Sequence, residues 1–135
     1  MALTKVTAAV LEPTAVTDNI SNGPISSDKI ANNAVSYAKL GSEFTTAAAL
    51  SASDVDFSTA QVFTKTLTAN DTLTFSNVST GMVKDLVITG NFTLTLPASV
   101  KVISGTYDGT VSNLIQIVAT NGATEQWASI SQEAV

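Results

Sequence analysis

The sequence predicts an all-β fold: a small antiparallel β-sandwich or barrel that follows an extended N-terminal arm with short turns. Short alternating runs rich in Thr and Val begin near residue 55, and turn residues recur about every eight to twelve positions. Before them lies a repeat, residues 25–41, whose apolar residues fit neither the strand period nor the helix period. We therefore divide the chain into an arm, residues 1–50, and a compact antiparallel β-domain, residues 51–135.

The arm is organised around a short internal repeat. A shift of ten positions aligns Ile25 with Val35 and Ile30 with Leu40. These anchors are five positions apart, so they share no single face of a strand or helix. Such a segment has no face to bury by itself, and we expect it to lie against a neighbour. One short helical turn is expected after Ser36, and Gly41 is expected to end it in the left-handed conformation.

The first residues of the arm fit one helical face or one short strand equally well, and Pro13 would stop a helix begun at residue 3. Tyr37 is a candidate for contact with a partner chain, because an arm has no core to hold it. The predicted docking residues of the arm are its apolar side chains: Leu3, Val6, Val10, Leu11, Ile25, Ile30, Val35, Tyr37 and Leu40.

Strands are predicted along the β-domain by alternation of apolar and polar residues. Residues 62–68 and 72–75 predict two strands around a hairpin loop at 69–71. Residues 82–90 predict the next strand, with a contiguous apolar centre, and residues 92–96 predict another that ends at Pro97.

The C-terminal part of the domain begins with a predicted strand at 100–103 and a turn at 105–109. Residues 114–118 and 126–130 then flank Asn121-Gly122, the dipeptide that best adopts a type I′ hairpin turn. A domain of this size has a core near the lower limit for independent stability, so trimerisation or docking would stabilise it.

The composition excludes several classes of function. The net charge is −5, with six Lys and no Arg, which disfavours nucleic-acid binding. No Cys and no His are present, so disulfides, thiolate or imidazole metal sites and Ser–His nucleophiles are excluded. No long apolar run or basic leader predicts a membrane span or secretory signal. Only 13% of residues are charged, about half the usual share, which suggests a surface covered by other copies or a scaffold.

The acidic and aromatic residues predict no enzyme, cofactor or metal site. Asp54 and Asp56 share one side of an extended segment, but the further oxygen ligands of a calcium loop are missing, so we interpret them as a solvated loop. Asp108 is typical of a turn. Trp127 is interpreted as a core or subunit-interface anchor rather than a sugar platform. Tyr107 and Trp127 are the candidate interface or glycan contacts.

The repeat Ile25-x-x-x-Lys29-Ile30-Ala-x-x-Ala-Val35-x-x-Ala-Lys39-Leu40-Gly41 resembles the decapeptide linker repeats of bacteriophage tail-fibre and related virion proteins, cyanophages included. Residues 3–11 resemble a short N-terminal pattern of the same fibres. The resemblance covers about the first third of the chain. It implies a non-enzymatic virion structural protein, a homotrimer that attaches to tail or capsid proteins through its arm and presents the β-domain.

Three placements remain open. The linker repeats favour a tail fibre or tail appendage. The short length favours a capsid decoration, or cement, protein that stabilises the head lattice. A carbohydrate-binding module that recognises a host surface glycan through Trp127 or Tyr107 is the third. In the first two, burial of the arm's apolar anchors would drive assembly, opposed by the entropy of ordering the arm.

Overall fold

The structure, a computed structural model, describes residue 32 and residues 34–134. The chain divides into two units between Ser36 and Tyr37, earlier than the boundary predicted at residue 50. The separation of an arm from a β-domain stays a prediction.

The second unit opens with a 3-10 turn, Tyr37–Lys39, and one short helix, α1 (Ser42–Thr45). The 3-10 turn directly follows Ser36, as the sequence predicts. The predicted role of Gly41 is wrong: its φ is −64° and its ψ is 160°, so the residue is extended and precedes α1. Gly41 lies at the start of a helix because its carbonyl oxygen accepts the amide of Phe44 at 3.0 Å. Within the described residues, no helix is long and apolar enough to cross a membrane.

Ten strands lie in the described part of the chain. Their bounds are β1 (Ala48–Ala49), β2 (Asp54–Asp56), β3 (Val62–Thr66), β4 (Asp71–Thr72), β5 (Thr74–Ser76), β6 (Val83–Thr89), β7 (Leu94–Thr95), β8 (Val100–Ser104), β9 (Asn113–Asn121) and β10 (Glu125–Gln132).

The strands up to β7 coil in parallel, in a solenoid-like arrangement. β1 pairs with β3, β3 with β6, β2 with β5 and β4 with β7, all in parallel. Phe63 lies beside Leu86, and Asp71 lies beside Leu94, so these two coils repeat after 23 residues. The chain therefore returns to the same sheet one coil later instead of folding back on itself.

An antiparallel hairpin extends the largest sheet. β9 pairs with β6 and with β10, both antiparallel, and β8 joins β10 in parallel. The six-stranded sheet has the order β1-β3-β6-β9-β10-β8, and β2-β5 and β4-β7 form two-stranded sheets. Within the described residues, β8 and β1 are the two edge strands of the large sheet.

The all-β class is confirmed, but the strands are not paired as in the expected antiparallel sandwich or barrel. The hairpin predicted over residues 62–75 is not formed. The amide of Leu67 donates to Thr89 O at 2.8 Å, and that of Asp71 donates to Thr93 O at 2.9 Å. Both segments thus bond to the next coil, and residues 69–71 form a corner between them. The residue types that favour a hairpin turn also favour the turn at a corner of a parallel coil. The local sequence therefore cannot distinguish a hairpin from a corner.

The C-terminal hairpin is formed as predicted, but its turn differs. A type I′ turn needs positive φ at both central residues, whereas only Gly122 has it, at 52°. Asn121 remains in β9, opposite Glu125. The loop is held because Thr124 donates its amide and its hydroxyl to Asn121 O, at 3.1 and 2.7 Å. The predicted type I′ turn at Asn121-Gly122 is therefore wrong.

The core lies against the inner face of the six-stranded sheet. Alternate residues of β6, β9 and β10 point inward and meet side chains of the coil corners. The rings of Phe57 and Phe75 pack at 5.2 Å between centroids. The buried cluster comprises Val55, Phe57, Ala60, Phe63, Leu67, Leu73, Leu86, Ile88, Ile115, Ile117 and Ala128.

Candidate functional site

The face of β6, β9 and β10 that points away from the core, here called the outer face, is the first candidate site. Strand alternation directs every second side chain of these strands outward. The side chains of the outer face are Val83, Asp85, Val87, Thr89, Leu114, Gln116, Val118, Thr120, Glu125, Trp127, Ser129 and Ser131.

Strand register arranges the outer face in rows. Val83, Val118 and Trp127 stand side by side in one row, and all three side chains are exposed, at 44%, 37% and 43%. A second apolar row pairs Val87 with Leu114, which is 43% exposed. The face is therefore apolar at both ends.

A polar row separates the two apolar rows. Asp85 lies opposite Gln116, whose Nε2 donates to Asp85 Oδ1 at 3.2 Å, and Ser129 follows on β10. Asp85 and Glu125 are the two charged side chains of the outer face as defined above, and Glu125 is paired with Lys101. A sheet surface with so few charges is suited to contact with another protein rather than with a charged ligand.

The carboxylate of Glu125 orients the indole ring of Trp127 at the border of the outer face. Trp127 Nε1 donates to Glu125 Oε1 at 3.1 Å, and Thr120 Oγ1 donates to the same oxygen at 3.1 Å. Lys101 forms an ion pair with Glu125 Oε2. The pKa of Glu125 lies below its ordinary value because of Lys101 first, then Trp127 and Thr120. The predicted contact residue Trp127 is thus exposed and fixed in orientation.

Tyr107 lies elsewhere, in a cleft between β7 and β8, and is half-buried. Its hydroxyl donates to Gly90 O at 2.7 Å, and burial raises its pKa, helped by the nearby charge of Asp108. The cleft has a volume of about 470 Å³. Its side chains are uncharged: Leu94, Thr95, Leu96, Val102, Thr106, Tyr107 and Ile130. The structure does not bring Tyr107 and Trp127 together into one platform, because one lines this cleft and the other stands on the outer face.

Most docking residues predicted in the arm lie outside the described residues: Leu3, Val6, Val10, Leu11, Ile25 and Ile30. Of the rest, Val35 is 63% exposed. Tyr37 and Leu40, in the second unit, are also exposed, and the hydroxyl of Tyr37 donates to Thr45 O at 3.2 Å. Their contact with a partner stays a prediction.

Asp54 and Asp56 lie on β2, with buried Val55 between them. The residues predicted as a solvated loop therefore form a strand. Thr74 and Ser76 donate their hydroxyls to the carboxylate of Asp54, at 2.9 and 2.6 Å. Protein donors thus already occupy the oxygens that a cation would need.

Asp56 is held in the same way. Ser58 donates its hydroxyl and its amide to Asp56 Oδ1, and Asn77 donates its side-chain amide. The pKa of Asp56 is lowered mainly by the Ser58 hydroxyl and then by Asn77. Asp108 accepts both the amide and the hydroxyl of Thr110, the turn role predicted for it. Among the described residues, no group of three or more acidic side chains is placed to share a metal ion.

Lys84 is a buried cation that the sequence reading missed. It lies on β6, and its Nζ donates to Ala60 O at 2.7 Å and to Gln61 Oε1 at 2.8 Å. Burial lowers its pKa. Lys84 lines a cleft beside Phe44 and Met82. Its ammonium group is bound by two neutral oxygens of the segment between β2 and β3, so Lys84 links that segment to β6. We assign it a structural role.

The sequence reading also missed most of the outer face. The alternation of Leu114, Gln116 and Val118 with buried Ile115 and Ile117 was the available signal, because both faces of this strand carry apolar residues. On the outer side of this strand, Leu114 and Val118 remain exposed to water.

Searches with this chain against protein-family models, curated proteins and solved structures found no match.

Proposed function

We propose that this chain is a non-enzymatic structural protein of a bacteriophage virion, a tail fibre or tail appendage that attaches through its N-terminal arm and presents the β-domain. The observation that carries the proposal is the outer face, an exposed sheet surface with two apolar rows and few charges. The resemblance of residues 25–41 to fibre linker repeats adds the virion setting.

Assembly would cover the outer face. Val83, Val118 and Trp127 each retain more than a third of their exposure, so a partner that covers them removes further apolar surface from water. Burial contributes about 25 cal/mol per Å². The rim charges Glu125 and Lys101 already neutralise one another, so they oppose contact with an uncharged partner less than a lone charge would.

We propose a homotrimer as the assembled form, with other virion proteins as the attachment partners. A low charged fraction, 13%, leaves few like charges to repel sister chains. A domain with a core of this size gains stability when contact between copies of itself buries further apolar surface.

Imaging of particles tests the proposed location. Particles assembled without this chain should lose a tail feature and retain an intact head lattice, and antibodies against the chain should label tails of complete particles. Loss of density from the head lattice with intact tails would instead assign the chain as a capsid decoration protein and overturn the tail placement.

A second candidate is glycan recognition by Trp127, favoured by the polar groups around its ring. Glu125, Lys101 and Thr120 surround an exposed indole, the combination that stacks on a sugar and bonds its hydroxyls. This candidate predicts saturable binding of the full chain to a host-polysaccharide panel, lost in Trp127→Ala and retained in Leu114→Ala. An absence of binding across the panel would dispose of it.

A further inference from the structure

The edge strand β8 has exposed main-chain groups and exposed apolar side chains. It is the last strand of the six-stranded sheet within the described residues, and only β10 pairs with it. Val102 and Ile103 are 47% and 61% exposed. Natural edge strands usually carry charges, a proline, a bulge or a covering segment, and the pairing of β8 with β10 shifts register once, at Ile103. Along β8, Lys101 is the one charged residue, and its ammonium group pairs back with Glu125.

The register of β8 shows which of its main-chain groups are free to pair. The amide of Gln126 donates to Ser99 O at 3.0 Å, so Ser99 and Lys101 direct their main-chain groups toward β10, before the register shifts after Val102. In a parallel ladder the intervening residues point the opposite way. The N–H and C=O of Val102 therefore face the open side of the strand. The amide of Val100, which also points away from β10, donates to Pro97 O at 2.9 Å.

The cleft between β7 and β8 lies on the side of the sheet toward which Val102 points. Val102 pairs with Ala128, which is buried, so its side chain is directed to the inner side of the sheet. Leu94, Leu96, Tyr107 and Ile130 line the same cleft, which has no charged side chain. An apolar side chain placed beside Val102 would therefore meet apolar walls and no unpaired charge.

We propose that β8 and this cleft form a docking site for one extended peptide segment, uncharged and with an apolar residue at alternate positions. The segment would add to the sheet as a further strand. Its main chain would pair with the N–H and C=O of Val102, and every second side chain would enter the cleft against Leu94 and Leu96. The inference rests on the assembly role proposed above and names the kind of partner that this role uses.

The edge of β8 requires main-chain donors and acceptors from the partner, and the cleft requires apolar side chains. A peptide supplies both. A small apolar ligand would fill the cleft but leave the main-chain groups of Val102 unpaired. A charged segment would bury its charge against Leu94 and Tyr107 without a counter-ion. A strand with alternating small polar and apolar residues satisfies both features.

The test measures binding of a fluorescein-labelled, end-capped peptide of alternating Thr and Val to the purified full chain by fluorescence anisotropy. Hydrogen exchange locates the contact. We expect saturable binding that slows exchange of the Val102 amide. Val102→Pro should weaken binding at least tenfold, because proline removes an N–H that faces the open edge and spares every bond to β10. The matched control, Val118→Lys on the outer face, should bind the peptide as the unaltered chain does.

Several outcomes would overturn the proposal: no binding by the unaltered chain, equal binding by a folded Val102→Pro variant, or equal binding by a peptide with Lys at the Val positions. If Val102→Pro fails to fold by circular dichroism, Val102→Lys is the substitute and should show the same loss. Dimers that Val102→Pro abolishes would replace the proposal with pairing between two β8 strands. A negative result for peptide binding would not bear on the proposed assembly through the outer face, because the effect of Val118→Lys on assembly tests that face separately.

Discussion

Trp127 lies directly opposite Val118 across the antiparallel pair of β9 and β10, and both side chains face away from the core. Apolar side chains that face one another across strands pack together, so the two form one continuous apolar surface with Val83 on β6. An aromatic side chain in such a place is the usual centre of a protein interface. This pair is the anchor of the proposed assembly.

Trp127 is the one tryptophan of the sequence, so its fluorescence reports directly on the outer face. As the full chain assembles with rising concentration, we expect the emission to shift to shorter wavelength and acrylamide quenching to fall, because the ring leaves water. Val118→Lys should keep the emission red at concentrations where the unaltered chain has shifted. If the emission stays unchanged while the mass of the protein assembly rises, the interface lies elsewhere.

Leu86→Ala tests which face of the six-stranded sheet is buried. Leu86 is fully buried and lies beside Phe63 one coil earlier, so its truncation should lower the free energy of unfolding by about 2–5 kcal/mol. The control is Leu114→Ala on the outer face, for which we expect less than about 1 kcal/mol in the monomer, because this side chain is 43% exposed. Urea unfolding at low protein concentration measures both. Equal losses in the two variants would contradict the assignment of inner and outer faces.

The parallel coil could not be read from the sequence, although its strands could. Alternation correctly placed strands near β3, β6 and β9, because side-chain burial has a period of two in any sheet. The pairing of Phe63 with Leu86 depends on residues 23 positions apart. The signal of that repeat is weak: Thr66 and Thr89, Thr72 and Thr95, and Leu73 and Leu96 are identical, but few of the residues around them are. A hairpin needs only local contacts, so local reading favoured it.

Gly90→Ala should destabilise the fold strongly. Gly90 has a φ of 111°, and a Cβ there would clash with the main-chain oxygen of Leu67 in the neighbouring coil. The backbone conformation alone costs an alanine about 1–3 kcal/mol. Gly81→Ala is the matched control, because Gly81 has a φ of 89° and open space around the new Cβ. In urea unfolding, Gly90→Ala should lose clearly more stability than Gly81→Ala. Equal losses would mean that the coils are not packed this closely at Leu67.

Acid should destabilise the domain through Asp71. Its pKa lies below 3.8, first because of the Ser53 hydroxyl and then because of Lys65, whose Nζ lies 3.0 Å from Asp71 Oδ2. The unfolded chain therefore binds the proton more readily, so this stability is present above about pH 3.8 and is lost as the pH falls through the folded value. Asp71→Asn should lower the stability at pH 7 by about 1–2 kcal/mol and reduce the pH dependence below pH 4.

The control for the acid prediction is Ser53→Ala, which leaves the Asp71 carboxylate in place but removes the first cause of its lowered pKa. It should reduce the same pH dependence by a smaller amount. Thermal unfolding between pH 2 and pH 7 measures both variants. An unaltered pH dependence in Asp71→Asn would assign the acid sensitivity to the other carboxylates whose pKa is lowered, Asp56, Asp108 and Glu125.

Only the part of the candidate site that depends on a single residue type could be predicted from the sequence. Trp127 was interpreted from its type and neighbours as a core or subunit-interface anchor; it is 43% exposed, so it is not part of the core, and its interface role stays a prediction. The sequence could not show that Tyr107 lies away from Trp127, because the position of a loop residue depends on the path of the loop over the rest of the domain. The hydroxyl bond from Tyr107 to Gly90 O joins segments 17 residues apart. The outer face as a whole needed the register of three strands, which no local pattern contains.

The most direct test of the account is the solution mass of the full chain by sedimentation equilibrium. One chain has a mass of 13.9 kDa, and the proposed assembly predicts three times that mass for the unaltered protein. Val118→Lys on the outer face should return the chain to the monomer mass, and Thr72→Lys, at an exposed position of β4, should leave the trimer intact. An unaltered chain that stays at 13.9 kDa at every concentration tested would contradict the claim that copies of this protein cover its outer face.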